Sequence, residues 1–95
     1  MKVMERIPVI NNHLTIREIG EEIIILSEED LEIHSLEGSA TFLWKCIDGK
    51  TTLQDILKKL CDEYDVSIER GKKDIIDFFE ECESKNLISF PGEIS

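Results

Sequence analysis

The sequence is short of the residues that usually announce chemistry. Its two histidines, His13 and His34, lie far apart, and its three cysteines, Cys46, Cys61 and Cys82, include no CxxC pair. Zinc sites and redox dithiols are built on close pairs, so neither is expected, and no metal site is assigned. There is no glycine-rich phosphate loop and no nucleophile placed with a base, so catalysis by this chain is not expected and no cofactor is called for. The longest purely apolar run, Ile23 to Leu26, is far too short to span a membrane. The opening "MKVMERIPVINN" lacks the apolar core of a signal peptide, which makes a cytoplasmic location the default expectation. Positive charge is also scarce. Lys and Arg number 11 against 21 Asp and Glu, a net charge of −10. Such a surface repels nucleic acid and anionic membranes and favours basic protein surfaces.

What is present is patterning. The 95 residues fit one domain. Residues 1–12, with Pro8, read as a loose N-terminal arm, residues 13–90 as the domain, and residues 91–95 as a tail. From His13 the period is two. Leu14 and Ile16 alternate with polar residues up to Ile19, and Gly20-Glu21 suits a tight hairpin turn. The β-branched Ile23, Ile24 and Ile25 favour a second strand. "SEED" reads as a polar turn, and "LEIHSL", Leu31 to Leu36, as a third strand. Its Leu31 and Ile33 share one face, and His34 and Leu36 the other.

The period then becomes 3.6. Ala40, Leu43, Trp44 and Ile47 fall on one face of a first helix ended by Asp48-Gly49. Thr52 caps a second helix, with Asp55 in a box-like position and Leu53, Ile56, Leu57 and Leu60 as its stripe, extended by Tyr64. Ser67 caps a third, with Ile68, Ile75, Phe79 and Cys82 inward, and Asn86 as a left-handed exit. Leu87 and Ile88 then fold back on the core. Strands followed by helices make an α+β fold: a three-stranded antiparallel sheet followed by three helices, winged-helix-like in its helical pair.

This layout resembles the PqqD family. The residues that carry the resemblance are Leu36, Ala40, Trp44, Asp48, Gly49, Thr52, Asp55, Ile56, Tyr64, Asp74, Ile75, Phe78, Leu87 and Ile88. Glu37 and Asn86 stand where the family often has Asn and Gly. The resemblance implies a non-catalytic adaptor, or peptide chaperone, of natural-product biosynthesis. Such a protein holds the leader of a ribosomally made precursor peptide and presents it to a modifying enzyme, either a radical S-adenosylmethionine (radical SAM) enzyme or a leader peptidase. It also implies that the leader adds as a strand to the third strand, in a groove walled by the third helix.

Edge-strand physics agrees, because an unpaired strand edge is a template for an extended peptide. The third strand has no Pro and no Lys to protect it. The expected peptide-binding residues are Leu31, Glu32, Ile33, His34, Ser35 and Leu36 on the strand, with Lys72, Lys73, Ile76, Phe79 and Glu80 on the helix. "ERGKK", Glu69 to Lys73, is a positive patch that would attract an acidic leader. One member of the aromatic set Phe42, Trp44, Phe78 and Phe79 is left to line the groove. The same edge also permits a homodimer. The alternative is a winged-helix DNA-binding regulator, but the third helix has four bases against six acids between Ile68 and Lys85, which opposes phosphate contacts.

Overall fold

The computed structural model describes residues 3–91. A 3-10 turn at Val3–Glu5 precedes β1 (Val9–Ile10), β2 (Leu14–Ile19), β3 (Glu22–Ser27) and β4 (Ile33–Leu36). Then come α1 (Ser39–Lys45), α2 (Leu53–Glu63), α3 (Ile68–Ser84) and β5 (Ile88–Ser89). β2, β3 and β4 form an antiparallel meander in that spatial order, and β1 pairs with β5 in a separate two-stranded ladder. The expected α+β layout of three strands and three helices is therefore the observed one.

Local chemistry sets most of the boundaries. Gly20 takes a φ of 63° in the β2–β3 hairpin, where a Cβ would be strained. The Thr52 hydroxyl accepts from the Asp55 N–H at 3.2 Å, and the Ser67 hydroxyl accepts from the Arg70 N–H at 3.2 Å, so both expected caps form. Asn86 leaves α3 with a φ of 61°. Two boundaries differ from expectation. α1 ends at Lys45, before Asp48-Gly49. Asp48 instead organises the linker, its carboxylate accepting from the Lys50 and Thr51 N–H groups and the Thr51 hydroxyl. Those hydrogen bonds hold its carboxyl below the usual carboxylate range. The third strand starts at Ile33, because Leu31 sits in the left-handed region at φ 60°.

The helices pack on one face of the meander. Ile23 and Ile25 of β3 meet Leu43 and Trp44 of α1, Leu53, Ile56, Leu57 and Leu60 of α2, and Ile75, Phe79 and Cys82 of α3 in one buried cluster, while Tyr64, expected to extend the α2 stripe, is exposed. Ile68, expected inward, is exposed at the start of α3. Gly71 takes part in the core instead. A Cβ there would stand 2.9 Å from Leu57 Cδ1, so the absent side chain lets α2 and α3 close together.

The loose-arm reading of residues 1–12 is corrected over residues 3–11. Met4 and Pro8 are buried, and the Arg6 guanidinium lies 4.2 Å from the Phe90 ring centroid. The Arg6 carbonyl accepts the Leu53 N–H at 2.9 Å, and so takes up a donor at the start of α2 that no helical carbonyl can reach. β1 pairs Val9 with Ser89 and Ile10 with Ile88, and the Asn11 N–H donates to the Leu87 carbonyl. Of the expected tail, residues 92–95 lie outside the described residues.

Candidate functional site

β4 is an edge strand, so half of its backbone groups have no partner in the sheet. The phase of the ladder tells which half. The Ser27 N–H donates to the Glu32 carbonyl at 2.9 Å, and the Glu28 N–H donates to the His13 carbonyl at 3.1 Å. Antiparallel pairs alternate between bonded and non-bonded. With the observed register, His34 bonds Ile25 and Leu36 bonds Ile23. The N–H and C=O groups of Ile33 and Ser35 therefore point away from the sheet, where an added strand would meet them.

A groove of about 510 Å³ runs beside that edge. Its strand side is Ile33, His34, Ser35 and Leu36, continued by Glu37 and Ala40. Its helix side is Phe78, Glu81, Cys82 and Lys85 of α3, closed by Leu87. Side-chain alternation turns His34 and Leu36 toward the helices, with their cross-strand partners Ile25 and Ile23 fully buried beneath. His34 is 12% exposed at its side chain, and its Nε2 is buried without a hydrogen bond. The nearest carboxylate oxygen, on Glu32, stands 3.8 Å away.

The groove is apolar at its base and mixed at its rim. Phe78 packs edge-on against the buried Phe79, with ring centroids 5.0 Å apart. Lys85 is held by Glu81 at 3.1 Å, and Glu37 adds a second carboxylate, so the rim does not favour an acidic ligand. The Cys82 thiol is pushed up to about 12 by burial first and by the Glu81 carboxylate second. It stays protonated near neutral pH and serves as a small apolar surface. Among the described residues no group of His, Cys, Asp and Glu is arranged to hold a metal.

Of the expected strand residues, Ile33, His34, Ser35 and Leu36 line this groove, while Leu31 and Glu32 belong to the preceding loop. The expected helix residues lie outside it. Lys72, Lys73 and Ile76 line a separate shallow depression with Glu69 and Asp77. Glu80 is exposed, and Phe79 is fully buried in the core. At 100° per residue, Phe78, Glu81 and Lys85 share one flank of the buried α3 stripe, while Lys72 and Ile76 share the other. Periodicity finds the stripe but not which flank faces β4. One signal was available: Phe78 already belonged to the aromatic set from which a groove residue was expected, and its i+3 and i+7 neighbours complete the wall.

Comparison with known proteins places the fold. The family model for "Coenzyme PQQ synthesis protein D (PqqD)" matches residues 22–88. No curated protein sequence matches the chain. Two solved structures share the fold. One is TbiB1 in complex with the TbiA(beta) leader peptide, with a TM-score of 0.82 at 20% identity over 92% of this chain and 99% of that one. The other is lasso peptide synthetase B1 complexed with the leader peptide, with a TM-score of 0.79 at 13% identity over 86% and 96%.

Proposed function

The chain belongs to the PqqD family, and from that premise we propose that it is an adaptor without chemistry of its own. It binds the leader of a ribosomally made precursor peptide as a fourth strand on β4 and presents it to a modifying enzyme, a radical SAM enzyme or a leader peptidase. The observation that carries the reading is the free edge of Ile33 and Ser35 beside a groove walled by α3. An extended peptide there gains backbone hydrogen bonds, and every second side chain enters the groove. Two neighbours of the same fold are leader-peptide complexes, which supports leader binding here. Precursors leave the ribosome in the cytoplasm, and the adaptor acts there. No described helix is long and apolar enough to cross a membrane. The charge balance opposes the DNA-binding alternative.

The test is titration with a synthetic leader of a precursor peptide from the protein's own pathway, followed by amide chemical-shift mapping. The expected affinity is micromolar or better, about −8 kcal/mol. Shifts should concentrate on Ile33–Leu36 and Phe78–Lys85. Shifts confined to β2 or to Lys72–Ile76 would place the peptide elsewhere. No binding at all, with tight binding to duplex DNA, would overturn the adaptor reading.

A further inference from the structure

The helices cover only one face of the meander. The register places Ile19, Ile24, Leu26 and Ile33 on the other face, with Thr15, Ser35 and a single cation, Arg17, among them, opposite in phase to the buried Ile23, Ile25 and Ser27. Ile19 is 61% exposed and Ile33 70%. Leu31, in the loop leading into β4, is 74% exposed and held at a positive φ, a costly conformation for a bulky residue. Apolar side chains gathered in water on one face mark a contact surface. Both ends of this face are acidic. Glu21 and Glu22 stand at the β2–β3 hairpin, and Glu28, Glu29 and Asp30 at the β3–β4 loop. The Glu32 N–H, donating to Asp30 at 3.1 Å, and the Ser27 side chain hold the Asp30 carboxyl below its usual range, so this end stays charged.

We propose that the outer sheet face docks a protein whose own patch is apolar and ringed by lysine and arginine, and that this protein is the modifying enzyme to which the leader is presented. This rests on the adaptor reading. Charge complementarity selects the occupant. A second copy of the chain would bring the same acidic rim and the same net charge of −10 against it. Nucleic acid and anionic membranes are repelled in the same way. Geometry makes the arrangement productive. A leader added to β4 extends the sheet in its own plane and leaves the outer face open. The enzyme then sits on the sheet that carries its substrate.

The test uses the full chain, the purified modifying enzyme of the same pathway, and the synthetic leader. Ile19→Thr with Ile24→Thr keeps β-branched residues on both strands while removing apolar surface. Glu22→Lys with Glu29→Lys inverts both ends of the rim. Each pair should weaken enzyme binding about tenfold or more while leader affinity stays within about twofold. Enzyme binding to the unaltered chain should fall steeply with salt, and the charge-inverted variant should lose that dependence. Unchanged enzyme affinity in both variants, or an unaltered chain that binds leader but no enzyme, would overturn the docking face. So would a homodimer in sedimentation that the threonine pair dissolves. An unaltered chain that binds the enzyme through this face but no leader would instead overturn the adaptor reading and leave the docking face standing.

Discussion

The two edges of the meander have the same backbone and different surroundings. On β2, the ladder phase leaves the groups of Leu14, Ile16 and Glu18 pointing outward. On β4 it leaves those of Ile33 and Ser35. β2 carries Arg17 and Glu18, and Glu18 is bridged to Lys45 of α1 at 3.0 Å. That exposed pair contributes little stability, but it sets charge along the edge, which discourages strand addition. β4 has no Asp, Glu, Lys or Arg between Ile33 and Leu36, and a groove with an aromatic wall lies beside it. A free row of donors and acceptors is thus common to both edges. Shape and charge beside the row are what set the two edges apart.

The largest expected effect removes the ground under both edges. Trp44, 3% exposed, anchors α1 in the core, and Trp44→Ala should cost about 3–5 kcal/mol in a denaturant melt. A loss near zero would mean that α1 does not position the groove. Next comes proline on each edge. Ile33→Pro deletes an outward donor without breaking the ladder, and should weaken leader binding about tenfold in calorimetry, while Ile16→Pro on β2 leaves it within about twofold. Equal losses from the two would erase the contrast. His34→Pro should lower the melting temperature, because that N–H bonds Ile25 within the sheet.

A smaller contrast separates the flanks of α3. Phe78→Ala should weaken leader binding several-fold, whereas Lys72→Glu with Lys73→Glu should leave it unchanged at low salt. The reverse result would put the wall on the flank first expected from the sequence. The smallest effect concerns Cys82. Its folded thiol titrates near 12, above the usual thiol value, so the unfolded state ionises first as pH rises. The protonated thiol's contribution to stability is complete below about pH 9 and is lost between there and about 12. Denaturant midpoints of the native chain and Cys82→Ala should therefore converge above pH 9. Near pH 8, Cys82 should be the slowest of the three thiols to react with iodoacetamide, and slower still with leader bound.

What the sequence disclosed follows from how local each signal is. Caps at Thr52 and Ser67, the turn at Gly20 and the exit at Asn86 need only neighbours within a few residues, and all four read correctly. The core stripes of α2 and β3 are periodic and read nearly as well. The β1–β5 ladder joins pairs of two-residue strands some 80 positions apart, too short to have a period and too distant to have a local cue. The alternation of LEIHSL places Leu31 in a strand, but a turn closed by its own N–H on the Ser27 carbonyl holds it left-handed, and alternation does not register that turn. The candidate site divides in the same way. Its strand side was legible from edge composition. Its helix side depended on the rotation of α3 about its own axis, which a buried stripe with two flanks does not reveal.

The β1–β5 ladder has one more consequence. Val9 lies across from Ser89, so the backbone comes in and goes out about one strand spacing apart. The stretch from Val9 to Ser89 is topologically a closed loop with a single seam, and residues 3–8 pack on the core beside it. It can be cut elsewhere and rejoined at the seam, or spliced whole into a surface turn of a larger polypeptide, without rerouting either chain. The groove and the outer sheet face would travel with it unchanged, since the seam lies in neither. The fold is therefore built as a portable cassette, and a covalent graft onto an enzyme would replace two separate encounters with one intramolecular contact at high effective concentration.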